Sequence, residues 1–280
     1  YFTTYWVRVD FPINGGVIAS DQTICSGTVP EPFTNIEYPS GGNGTYTYKW
    51  VMSTSGPLGP WTFIDGAKDS IYTHPTPLTQ TTWFARFAES PPCLEVISNP
   101  VMVEVKPIPE ILAYSDAEIC SGNIFSYFPI NSDPGGTTDY TSIVSSGTVF
   151  GNTPNGSGYI NDILTIPEGI TSPGVVTYTI TPTGSAPTFC VGTPVDVDVT
   201  VYPLPQITNP PLEQTICAGE ATAPISLTFN IAGSNTVWDT TTVPKGISLT
   251  PMSGSGTTIP AITIYSINIG PVDVVFTITP

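Results

Sequence analysis

The chain has 280 residues, of which 40% are apolar, and its 22 acidic against 6 basic side chains give a net charge of −16. Such a charge repels phosphate backbones and anionic lipid surfaces, which argues against nucleic acid and membranes as partners. No run of 18 apolar residues is present, so no membrane insertion is expected, and apolar alternation throughout argues against disorder despite 26 Gly and 31 Pro.

In chain order, the first predicted strand is Tyr5-Trp6-Val7-Arg8-Val9, closed by the proline boundary Phe11-Pro12-Ile13. Next come Ile24-Cys25-Ser26-Gly27, the turn cluster Gly41-Gly42-Asn43-Gly44, and alternating runs at Thr45–Trp50, Thr82–Phe87 and Val101–Val105. A second boundary, Lys106-Pro107-Ile108-Pro109, precedes Ile119-Cys120-Ser121-Gly122. Turn clusters at Pro134-Gly135-Gly136 and Asn155-Gly156-Ser157-Gly158 then alternate with strands at Val175–Ile180 and Val195–Val199. A third boundary, Tyr202-Pro203-Leu204-Pro205, leads to Ile216-Cys217-Ala218-Gly219, the turn-like Ser253-Gly254-Ser255-Gly256 and a last strand at Val274–Ile278. Thr, Val, Ile and Tyr dominate the runs, as strands prefer, and no helical apolar stripe interrupts them.

The Ile-Cys-x-Gly motif, the proline boundary and the strand before it recur with a period of about 96 residues, too long for a solenoid coil and suited to a sandwich domain. The fold class expected is therefore all-β, with tandem β-sandwich domains joined by short, stiff Pro-rich linkers. The divisions are 1–13 (terminal strand of a preceding repeat), 14–107, 108–203 and 204–280 (a repeat truncated at its C-terminal end). Strand-like runs at both ends make the chain read as a segment of a longer polypeptide, with no signal peptide at its start.

Cys25 and Cys93 stand about as far apart as Cys120 and Cys190. This spacing predicts two disulfides within repeats, Cys25–Cys93 and Cys120–Cys190, with the partner of Cys217 beyond the segment. Each would stabilise its domain by about 4 kcal/mol and requires an oxidising compartment. Five buried thiols are the alternative. Trp50, Tyr140 and Trp238 recur at a similar distance after the first cysteine of each repeat and are expected in the core.

Little of the sequence points to chemistry. His74 is the single histidine, so no His-centred triad repeats along the chain, and no nucleophile elbow, phosphate-binding loop or zinc-protease motif occurs. No catalytic residue and no metal ligand set is predicted, and the chain is read as a non-enzyme without a cofactor. Asp133, Asp139, Asp162 and Glu168 leave weak calcium binding open. Asp196 and Asp198 are read as charges guarding a strand edge. Trp61, Tyr72 and Trp83 are candidates for stacking on a ligand such as a polysaccharide. Asn43-Gly44-Thr45 and Asn155-Gly156-Ser157 match the N-glycosylation pattern.

The run Gly42–Trp50, followed by Trp61-Thr62-Phe63-Ile64-Asp65-Gly66-Ala67, Leu78–Arg86 and Cys93, resembles the Ig-like repeats of giant Bacteroidetes cell-surface proteins. The Ile-Cys-(Ser/Ala)-Gly motifs, Tyr178-Thr179-Ile180-Thr181-Pro182 and Phe276-Thr277-Ile278-Thr279-Pro280 resemble their PKD-like repeats. By this resemblance 14–107 is an Ig-like repeat, and 108–203 and 204–280 are PKD-like repeats, of an SprB-like gliding-motility adhesin. It implies type IX secretion, a location on the outer cell surface, and partners among neighbouring repeats, the extracellular substratum or polysaccharide, and the gliding or secretion machinery. It also implies O-glycosylation at Asp-(Ser/Thr) sites, which makes Ser70 and Thr240 candidates. The function expected is a structural stalk for surface attachment and gliding, unfolding under load in equal sequential steps. The alternatives are a polysaccharide-binding module and spacer domains of a secreted hydrolase.

Overall fold

The computed structural model describes residues 1–209, 213–268 and 270–280. Among these, the regular structure is all β, and no helix is long and apolar enough to cross a membrane. The apolar side chains gather in three separate cores. Ile18, Phe33, Trp50, Phe84, Val101 and Val103 anchor the first; Tyr140, Ile160, Leu164, Tyr178, Ile180 and Val199 lie in the second; Leu227, Trp238, Leu249, Ile259 and Ile262 form the third. Three β-sandwich units thus follow one another along the chain, as the alternation and turn clusters require.

The first two units share one strand order. In the first, Gln22–Cys25 lies parallel to Val101–Lys106, which pairs antiparallel with Thr82–Ser90, then Thr47–Ser53 and Thr62–Phe63. In the second, Ala117–Cys120 lies parallel to Val195–Tyr202, followed by Gly174–Thr183, Thr137–Ser146 and Asn155–Ser157. The third unit repeats the far side of that sheet, with Thr236–Thr242 between Ser253–Gly256 and Val275–Thr279.

The runs read as turns at Asn155–Ser157 and Ser253–Gly256 are strands. Each sets a glycine opposite the core aromatic, Gly156 against Tyr140 and Gly254 against Trp238. A Cβ at either position would meet the ring, 2.5 Å from Tyr140 Oη or 2.6 Å from Trp238 Cζ2. Glycine is present because the ring lies flat over the neighbouring backbone.

The chain start differs from the reading above. Residues 1–10 carry no strand, and Trp6 is 87% exposed. Phe11–Asn14 pairs with Ser40–Gly42 of the first unit, so residues 11–13 belong to that unit's own fold. Alternation makes a strand only where another strand satisfies its backbone groups, and Tyr5–Val9 meets none. The same rule acts at residues 213–217, which are not a strand although they align with Gln22–Cys25 and Ala117–Cys120. Those two strands lean on the last strand of their units, and the described residues of 204–280 include no counterpart of it.

Candidate functional site

The junction between the first two units is closely constrained. Lys106 ends the last strand of the first unit, and Pro107-Ile108-Pro109 leads to Ile111–Leu112 of the second. Pro109 is buried, and Gly192 is packed so closely on its carbonyl that no Cβ fits. Cys25 sits opposite Lys106 in the parallel pair. Across the junction it is bonded to Cys190, their Cα atoms 5.6 Å apart and 165 residues apart in sequence. Closing a loop this long removes about 5 kcal/mol of unfolded-state entropy.

This bond corrects the expected pairs Cys25–Cys93 and Cys120–Cys190. Cys93, Cys120 and Cys217 are unpaired. The near-constant spacing is a property of the repeat, whereas the pairing is set by which ends of the sandwich meet. Cys25 lies beside Lys106, at the trailing end of the first unit. Cys93 pairs with Ser90 at the far end of the Thr82–Ser90 strand, whose other end is aligned with Val103. At about 3.3 Å per residue the two cysteines are separated by roughly 30 Å, far beyond the ~7 Å limit for a disulfide. Cys120, opposite Tyr202, and Cys190, beside Gly184, are likewise at opposite ends of the second unit.

The aromatic candidates divide. Tyr72 packs into the first core, its ring centroid 5.4 Å from Trp50 and 6.3 Å from Phe33, with its hydroxyl 3.1 Å from His74 Nδ1. Trp83 is half-buried on the opposite face of the sheet. There Ser53 pairs with Trp83, Val51 pairs with both Ala85 and Phe63, and the rings of Phe63 and Phe87 are 6.1 Å apart. Trp61, also half-buried, precedes Thr62 at the edge of that sheet. Trp61 and Trp83 therefore flank one aromatic face, which Tyr72 does not join.

His74 is 7% exposed between Tyr72 and Thr76, and burial lowers its pKa. Its hydrogen-bond partners are the hydroxyls of Tyr72 and Thr76, and its ring packs edge-on against Phe84. Two of the four calcium candidates are engaged by the chain's own donors. Asp162, 5% exposed, accepts from Thr153 N (2.8 Å), Thr153 Oγ1 (2.6 Å) and Tyr178 Oη (2.6 Å). Asp133 accepts from the backbone N–H of Ser185 and Gly135 and from Ser185 Oγ, and these bonds hold its pKa below the usual carboxylate value. Asp139 and Glu168 are exposed. Among the described residues no cluster of three or more His, Cys, Asp or Glu is placed to hold a metal ion.

Ser70 is half-buried, and its carbonyl accepts from Arg86 (2.7 Å) and Asn35 (3.3 Å). Thr240 lies on a strand between Met252 and Phe276, on the side of Trp238. Asn43 is tied into its turn, accepting from Thr45 N and Ser90 Oγ and donating to Pro91 O. Asp196 and Asp198 accept from Thr179 and Thr177 of the adjacent strand, 2.6 Å each. They occupy the half of Val195–Tyr202 that is paired on one side only.

Two further structural residues stand out. Arg86 is fully buried, donating to Asn35 Oδ1, Ser70 O and Gly15 O (3.1 Å), and its guanidinium lies 4.8 Å from the Tyr48 ring. Its signal was its parity, two residues from the core Phe84 on one strand. Asp21 and Asp116 each cap the backbone of their unit's last strand, accepting from Met102 N (2.8 Å) and Asp198 N (3.0 Å). Each stands four residues before its motif cysteine, a repeat visible in the sequence.

A family model described as a domain of unknown function (DUF8696) matches residues 14–107. Among solved structures, a three-domain immunoglobulin segment of titin is 10% identical with a TM-score of 0.45, covering 92% of this chain and 90% of that one. Immunoglobulin domains 1–5 of Sidekick-1 give 10% identity and a TM-score of 0.32 over 97% of this chain and 59% of that one. The protocadherin GammaB4 extracellular domain gives 14% and 0.34 over 96% and 48%. No curated protein matches the sequence.

Proposed function

We propose that this chain is a structural stalk segment of a secreted cell-surface adhesin, built from repeats at 14–107, 108–203 and 204–280. The observation that carries this reading is the first junction, a short proline linker crossed by a covalent bond between two sandwich units. A disulfide requires an oxidising compartment, which supports an extracellular location. A device that locks neighbouring units serves reach and resistance to load; the buried carboxylate Asp162 and the buried guanidinium of Arg86 are both engaged in holding the chain together. The resemblance to SprB-like repeats supports the finer reading of gliding motility after type IX export in a Bacteroidetes species.

The test is an in-frame deletion of residues 14–203 from the parent protein. A stalk predicts shorter surface filaments and retained capture of substratum. Lost capture with filament length unchanged overturns the reading and favours a binding module. That second reading rests on the face bearing Trp61, Phe63, Trp83 and Phe87. It expects Trp61→Ala and Trp83→Ala to abolish signals on a polysaccharide array, and an array blank for the unaltered chain removes it.

A further inference from the structure

The three unpaired cysteines occupy the places of the two paired ones. In each motif the residue three after the cysteine donates its N–H to the cysteine carbonyl at 3.1 Å: Thr28 to Cys25, Asn123 to Cys120 and Glu220 to Cys217. The motif glycine has a positive φ each time (82°, 87° and 90°) and donates at 2.8 Å to Leu78, Leu164 and Ile264 respectively. Ser26 N and Ser121 N reach Lys106 O and Tyr202 O, both at 2.8 Å, at the end of each unit's last strand. Cys25, Cys120 and Cys217 thus share one local geometry, and the first two are fixed at a trailing end. At the leading end of the second unit, Cys190 adjoins the segment packed on Pro109. At the leading end of the first, the Cys93 thiol lies 3.6 Å from the carbonyl of Phe11, just before the Pro12 boundary.

We infer that Cys93, Cys120 and Cys217 are half-staples, each completed by the cysteine of an adjoining repeat, so that every junction is closed as Cys25–Cys190 closes the first. Cys93 takes a trailing-end Ile-Cys-x-Gly cysteine of a repeat on its N-terminal side. Cys120 takes the leading-end cysteine of the third unit, whose position, by alignment of Pro280 with Pro182, falls beyond Pro280. Cys217 takes that of the repeat after. In each case two thiols lose two protons and two electrons to a disulfide oxidant, which becomes a dithiol, and one S–S bond forms. The partner is thus a second repeat of the same class, presented end to end. This inference rests on the stalk reading only in requiring that further repeats adjoin.

The test is disulfide mapping of the full-length protein, alkylated before extraction from its source. Cys25–Cys190 together with Cys93, Cys120 and Cys217 linked to cysteines outside residues 1–280 is the expected result. Free thiols at these three positions, or pairs within a repeat, overturn it while leaving the filament-length test of the stalk unaffected. In the 280-residue chain, Cys25→Ser provides a second measurement. Cys190 then becomes a free thiol that a maleimide labels once the chain is denatured, and a Cys120–Cys190 bond in that variant would refute the separation of the two ends.

Discussion

Tyr178 shows how one side chain commits another. Its hydroxyl donates to Asp162 in the middle of the second core, where Thr153 supplies the other two donors. Burial and the nearby carboxylate push the Tyr178 pKa far up, so it remains a donor at every accessible pH. Tyr178→Phe leaves a buried carboxylate short of one donor and should cost about 1–3 kcal/mol, read as a lower urea midpoint for the second unit alone. His74 is the reverse case, a buried group kept neutral. Its pKa is lower folded than unfolded, so the unfolded chain binds the extra proton first as pH falls. Its contribution to stability is complete above the ordinary value of about 6.5 and declines as pH drops from there through the depressed folded pKa. His74→Gln should flatten the dependence of the first unit's melting temperature on pH between about 7 and 5; an unchanged slope would assign that dependence to other groups.

At the scale of elements, the long alternating strands were legible where a partner strand exists. Val101–Lys106, Val195–Tyr202 and Gly174–Thr183 fall where alternation placed them, because a half-buried sheet forces period two. Tyr5–Val9 has the same pattern and forms nothing, since pairing is not encoded in the strand that needs it. Asn155–Ser157 and Ser253–Gly256 failed in the opposite direction: glycine and serine signal a turn locally, whereas here glycine makes room for a ring from the next strand. Gly254→Val accordingly forces Trp238 off its site. It should destabilise the third unit by about 1–3 kcal/mol, measured by denaturation. The same substitution at Gly44, a turn glycine with open space around it and φ of 87°, carries a backbone penalty and no packing penalty. Arg86 and the two capping aspartates belong to this scale too, joining strands distant in sequence through single side chains.

For the whole molecule, the Cys25–Cys190 bond sets the path of load. Tension applied at the chain ends passes from Cys25 directly to Cys190 and bypasses most of the first two units. Equal sequential unfolding is therefore expected only after reduction. In single-molecule pulling, a reductant should release roughly 560 Å of contour length, the extended span of the 165 residues the bond encloses. The same gain without reductant would show the bond absent. The sequence alone settled the all-β class, the period and the aromatic at the heart of each unit. These follow from local alternation and from recurrence, which need no knowledge of what lies opposite. Which cysteine meets which, where Tyr72 and Asp162 point, and which alternating runs become strands required the fold. Each depends on the ends and faces that three sandwiches bring together across distances the linear chain does not record.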